Sequence, residues 1–265
     1  MDTALLLFKT VLFRPYVFIF LAVYLAAAAM KLGKRKAVLF TLTGWAAAFA
    51  AESSSIRNGI PFGMYCYLPS TEGRELWLYG VPFMDSLSFT FLAYASWCTA
   101  RVILSPSEGG WASFRLVEPD ARRFSSGKLL LGASLMTMLD VVIDPLALRG
   151  DRWFLGKIYC YPEPGPYFGV TIENFMGWFI VGIAVLCIWR AIDNKTVKGR
   201  HDGRPMLDLL GPALFYAVLL FNLGMTFFIG EYALGAAGAL LFAPVTALVF
   251  MKLKGQTSGA RPGKA

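Results

Sequence analysis

Two aspartates four residues apart, Asp140 and Asp144, lie in the run Leu139-Asp140-Val141-Val142-Ile143-Asp144-Pro145. The surrounding stretch, Leu129 to Leu148, is otherwise largely apolar. On a helix the two carboxyls share a side, about 6 Å apart along the axis. One ionisable group at the centre of a bilayer costs roughly 2.5–3.5 kcal/mol on insertion scales. Two on one face need water, a partner or a proton. A carboxylic acid surrounded by hydrocarbon can keep its proton at neutral pH and donate it, and a neighbouring carboxylate can hold a water and accept its proton. The chemistry open to such a pair is acid–base chemistry on an apolar substrate.

Other chemistries find fewer parts. The single histidine, His201, lies in a polar loop, which leaves little for haem, di-iron or His-built zinc sites. No CxxC spacing, nucleophile motif, phosphate loop or dinucleotide fingerprint is present. Asp140-x-x-x-Asp144 alone is a weak metal signature. It is shorter than the Asp-rich signatures of membrane prenyltransferases and CDP-alcohol phosphotransferases, whose further motifs are missing, so neither metal nor cofactor is expected. A retinal protein needs a lysine inside a span, and Lys252 falls at the edge of the last one. The net charge of +8 raises nucleic acid as a partner, but the basic residues fall in loops, where membrane topology explains them.

The elements that must position the acids are membrane spans. Hydrophobic residues make up 57% of the 265, above a soluble domain's share. Seven apolar segments, near 11–30, 37–56, 81–104, 128–147, 171–190, 206–228 and 231–251, are long enough to cross about 30 Å of hydrocarbon. The first is read as a span rather than a cleaved signal peptide. The last two form a tight hairpin near Gly230. Eighteen of the 25 Lys and Arg residues fall in segments 31–36, 101–128 and 190–205 and in the tail; seven fall on the other side. This alternation predicts an all-α polytopic bundle in the cell (inner, cytoplasmic) membrane, N-terminus out and C-terminus in. Residues 1–251 form one domain, and 252–265 are a basic, disordered cytoplasmic tail.

Sorted by depth, the polar residues gather toward the outer side. Glu52 closes span two, Asp85 opens span three, and Asp140 and Asp144 lie late in span four. Glu173 and Asn174 open span five, Asn222 lies in the outer part of span six, and Glu231 opens span seven. Only Asp208 sits near the inner boundary. Transport would scatter polar groups through the full depth. The outward loops are Gly/Pro-punctuated and aromatic, able to fold back over the helix ends as a lid. Both contain Tyr-Cys-Tyr, so a Cys66–Cys160 disulfide is open to formation in an oxidising compartment. Cys98 and Cys187 read as packing residues in spans.

Glu52, the run Asn58-Gly59-Ile60-Pro61-Phe62-Gly63-Met64-Tyr65-Cys66-Tyr67, Val81-Pro82, Asp140 to Pro145, Trp153, Tyr167-Phe168-Gly169-Val170 and Asn174-Phe175-Met176-Gly177-Trp178 together resemble a membrane carotenoid-biosynthesis family. That family contains CruF-type carotenoid 1,2-hydratases and bisanhydrobacterioruberin hydratases. The resemblance runs from about residue 45 to 190. It implies cofactor-free addition of water to the C1–C2 double bond of a linear carotenoid end, with the substrate entering from the bilayer. It further implies Asp140 or Asp144 as proton donor and Glu52 as base or water-orienting partner. Asn174 and Tyr65 would orient water or a carboxyl, and Trp178, Phe62 and Trp153 would line the pocket; the depth sort adds Asp85, Glu231 and Asn222 as substrate- or water-binding candidates. An isomerase or cyclase of isoprenoid or lipid alkenes, or a lipid-binding or transport protein, is the alternative.

Overall fold

The computed structural model describes residues 3–110, 112–195 and 206–254, so His201 and tail residues 255–265 lie outside it. The described residues form helices α1 (Thr3–Phe13), α2 (Pro15–Leu32), α3 (Lys34–Asn58), α4 (Phe83–Leu104), α5 (Ser126–Ala147), α6 (Ile172–Lys195), α7 (Leu210–Phe228) and α8 (Tyr232–Lys254). Six of these, α2 and α4 to α8, are long and apolar enough to cross a membrane, α7 together with the short 3-10 turn before it. The chain is an all-α, multi-pass membrane bundle. The expected segment 37–56 lies within α3, which is 25 residues long and bears Lys34, Arg35, Lys36, Glu52 and Arg57. Lys252 and Lys254, expected in the tail, belong to the end of α8.

Helix α4 is the axis, packed against α2, α3, α5 and α7 and buried over nearly its whole length. Glycines let the neighbours come close, as small residues do between membrane helices. A Cβ on Gly132 of α5 would lie 3.3 Å from the Trp97 Cα, and one on Gly44 of α3 would lie 3.1 Å from the Thr90 side chain. Gly211 of α7 faces Cys98, and Gly182 of α6 faces Ala133 of α5 in the same way. α7 ends in a Schellman turn, with Gly230 at φ 79, Gly230 N–H to Phe227 O and Glu231 N–H to Thr226 O. This makes the expected hairpin to α8.

The first span differs from its expected bounds of 11–30. The helix breaks at Arg14, and α2 begins at Pro15, where a missing N–H is tolerated. Arg14 is fully buried and grips Glu75 through Nε and Nη2, at 3.1 and 2.8 Å, while its Nη1 donates to Leu155 O. One arginine therefore ties the N-terminal helices to the α3–α4 and α5–α6 loops.

At the opposite end of the bundle, basic residues read as loop charges are in buried ion pairs. Arg101 and Lys128 meet Glu118, Lys31 meets Asp208 at 2.6 Å, and Lys36 and Arg123 share Asp193. Removing one partner of such a pair strands a charge, which costs more than the pair contributes.

Short strands pin the loops: β1 (Cys66–Tyr67), β2 (Trp77–Leu78), β3 (Val81–Pro82), β4 (Ser107–Glu108), β5 (Arg115–Leu116) and β6 (Tyr159–Cys160). They form three antiparallel pairs. β1 joins β6 in the register Cys66↔Cys160 and Tyr67↔Tyr159, so the two Tyr-Cys-Tyr triplets face one another. Strand alternation turns one tyrosine pair inward and the cysteines outward. Both thiols are free here. Mild oxidation of the membrane-inserted protein is expected to link Cys66 to Cys160 within one chain, read by non-reducing peptide mapping. Linkage only between chains, or none, would contradict the β1–β6 register.

Candidate active site

The acid-bearing helix ends surround a cavity under the α3–α4 and α5–α6 loops. It encloses ≈ 110 Å³ and is lined by residues of α2, α3, α4, α5, α6, α7 and both loops. That is several times the roughly 10–15 Å³ needed for one water. Its wall is mostly aromatic and aliphatic, with polar groups confined to a few places.

The first polar place is on α5. Asp140 and Asp144, one turn apart, accept from the same amide: Asn174 Nδ2 of α6 donates to Asp140 Oδ2 at 2.8 Å and to Asp144 Oδ2 at 2.6 Å. Both hydrogens of that amide are thus used. Asp144 faces the cavity, whereas Asp140 sits behind it, fully buried, with Oδ1 lacking a hydrogen-bond partner. Pro145 follows without an N–H to donate into the helix. The last carbonyls of α5 are instead capped by the lid. Tyr159 Oη donates to Asp144 O at 3.1 Å, Arg149 to Pro145 O at 2.8 Å, and Trp153 Nε1 to Leu146 O at 3.2 Å. The loop that covers the site is therefore fastened to the helix that carries its acids.

The second polar place is across α3 and α4. Glu52, buried, accepts from Ser86 Oγ, and Tyr67 Oη lies 3.2 Å from Glu52 Oε1 and 2.6 Å from Asp85 Oδ2. A phenol has one proton to give. Satisfying both contacts requires a proton on one of the acids. Tyr65 Oη approaches Tyr67 Oη at 3.4 Å and extends this chain toward the lid. Burial first, then the neighbouring acids, hold the phenols of Tyr65, Tyr67 and Tyr159 well above the ordinary tyrosine range. They keep their protons as donors.

Aromatic faces complete the wall. Trp178 stacks on Phe89 with centroids 4.1 Å apart, and Phe62 leans on both. Phe62 gets there because α6 has Gly177: a Cβ there would lie 2.5 Å from Phe62 Cδ1 and 2.7 Å from Pro61 O. Asn222 of α7 also lines the cavity, its Nδ2 held by Val218 O at 2.9 Å.

Of the residues expected from the sequence, the cavity brings together Glu52, Phe62, Tyr65, Asp85, Asp144, Trp153, Asn174, Trp178 and Asn222, with Asp140 directly behind. Glu231 stands apart. It pairs with Arg149 at 3.1 Å and with Arg152, and does not line the cavity. Glu173 is exposed at the start of α6. Tyr67, Ser86, Phe89 and Tyr159 were not foreseen as site residues. The paired Tyr-Cys-Tyr triplets were the signal that could have found the two tyrosines.

A family model described as carotenoid biosynthesis protein matches residues 13–245. The chain belongs to this carotenoid biosynthesis family. No curated protein and no solved structure matches it. The matched region includes every cavity-lining residue named above, so the acids, the lid and the aromatic wall all lie within the family's domain. Among the described residues, no group of three or more His, Cys, Asp or Glu is placed to hold a metal ion.

Gly177→Ala is expected to lower the stability of this family member by about 1–3 kcal/mol, because Pro61 and Phe62 must move. Gly224→Ala, whose Cβ would meet nothing within 4 Å, is the neutral control. Thermal unfolding in detergent reads both. Equal midpoints would contradict the close seating of the loop on α6.

Proposed function

We propose that this protein is a carotenoid hydratase, adding water to the C1–C2 double bond at the end of a linear carotenoid. The observation that carries the reading is the pair of acid clusters, each held by a neutral donor, facing one aromatic cavity in a member of the carotenoid biosynthesis family. In this reading Asp144 gives its proton to C2, and the positive charge falls on C1, which carries two methyl groups. The faces of Trp178, Phe89 and Phe62 offer the cation about 0.5–2 kcal/mol of stabilisation. A water held by Glu52, Asp85 and Tyr67 attacks C1 and passes its extra proton to the Glu52–Asp85 pair. Asp140, through Asn174, positions Asp144 and shares its proton. Return of that proton from the Glu52–Asp85 pair to Asp144 through water restores both groups, so the sum is alkene plus water to tertiary alcohol, with no net oxidation or reduction and no cofactor.

The same proposal includes the membrane arrangement. Helices α2 to α8 make seven crossings, with the cavity toward the outer face and the ion-paired end toward the cytoplasm. The charge asymmetry of the loops supports this.

Expression in cells that make lycopene tests the chemistry. A mass gain of one water per modified end is expected, insensitive to chelator. Asp144→Asn and Glu52→Gln are each expected to lower product about 10²–10⁴-fold at unchanged protein level. Pigments altered at constant mass would instead favour an isomerase or cyclase using the same acid. Unaltered pigments across a panel of linear carotenoids would refute catalysis on this substrate class.

A further inference from the structure

The cavity has room for the end of a substrate and for little more. An apolar cavity of about 150 Å³ admits one benzene, whereas this one encloses ≈ 110 Å³. A linear isoprenoid with its end inside must run its remaining length out through the wall. Several helix seams of the bundle are closely packed, at residues that do not line the cavity. Glycine brings backbone against side chain between α3 and α4, α4 and α5, α5 and α6, and α4 and α7. Gly238 of α8 packs on Val142 of α5 and Leu223 of α7, closing the space between those two helices.

The seam between α2 and α7 is built differently. α2 contains no glycine, and Gly224 of α7 meets nothing. Val17 and Phe20 of α2 line the cavity from one side, Val218 and Asn222 of α7 from the other. Between them stands Phe221, stacked on Tyr16 at 5.3 Å and edge-on to Phe20 at 5.8 Å. Phe20, Tyr16 and Phe221 are each only partly buried, and the adjoining Ile19 and Leu220 are 60% and 65% exposed on the lipid-facing surface. Here one layer of rings separates the cavity from the bilayer. Rings can swing about their side-chain bonds without moving a helix, unlike a glycine-packed backbone. Trp153 and Phe154 of the lid touch Phe221 as well, so the rings and the lid form one aromatic cluster.

The geometry points to the α2–α7 seam as a lateral portal, gated by Tyr16, Phe20 and Phe221, in which the polyene chain of a linear isoprenoid lies while its end reaches the acids. This rests on the hydratase reading for the identity of the occupant. Its position in the wall rests on the packing alone.

The test locks the seam reversibly. Tyr16→Cys and Phe221→Cys are combined in a chain whose four native cysteines are replaced by serine. The purified protein is placed in vesicles containing lycopene and treated with a short bis-methanethiosulfonate. Bound polyene is read by visible absorbance per protein, and product by mass. The uncrosslinked protein should bind polyene and form product; crosslinking should abolish both, and reductant should restore both. Equal polyene uptake by the crosslinked and reduced forms would overturn the portal. Uptake that is blocked by the crosslink without any water-added product would uphold the portal and overturn the hydratase reading. A reduced form that takes up no polyene would overturn both.

Discussion

The constraint on which the structure depends is that acids buried among membrane helices must be given hydrogen-bond donors by the protein itself. Water cannot be assumed in the hydrocarbon layer, and an unsatisfied polar group there costs several kcal/mol. Asp140 and Asp144 take theirs from Asn174, which fixes α6 against α5. Glu52 and Asp85 take theirs from Ser86 and Tyr67, which fixes the loop strand β1 over α3 and α4. The acids thus help to organise the cavity end of the bundle. Asp140 Oδ1 is buried without a hydrogen-bond partner, behind the cavity-facing Asp144.

The two ends of the bundle solve opposite problems. The far end is held by charge: Glu118, Asp193 and Asp208 each bring at least one basic side chain into the interior. That makes a strongly cross-tied end. The near end surrounds the cavity with neutral donors, aromatic rings and a lid anchored on the carbonyls of α5. Charge also ties the near-end loops, through the fully enclosed Arg14–Glu75 pair and through Arg149 and Arg152 on Glu231.

Much of this was legible in the sequence because membrane spans are long apolar runs and because a carboxylate in such a run is conspicuous. The helices lie close to the expected segments, and nine expected site residues meet in one cavity. What escaped had weaker local signals. The break at Arg14 was hidden because the arginine's partners, Glu75 and Leu155, are distant in sequence. Tyr67 looked like a loop aromatic until the β1–β6 pairing turned it toward Glu52 and Asp85. Glu231 was expected in the acid layer on depth alone, but two arginines of the loop after α5 hold it at the surface. Depth can be read from position along a span; direction around the helix depends on partners brought in by tertiary structure. The apolar run placed α3 near its observed bounds, but the partners of its Lys36 and Glu52, which are Asp193, Ser86 and Tyr67, are distant in sequence or brought in by a loop.

The central claim is that an acid of the protein protonates a carbon and that water supplies the oxygen. The most direct measurement is turnover of a linear carotenoid in D₂O enriched in ¹⁸O, with the product examined by mass spectrometry and NMR. The account predicts one deuterium bound at C2 and one ¹⁸O at C1 for each end converted. Oxygen that does not come from water, or a product without carbon-bound deuterium at C2, would contradict it.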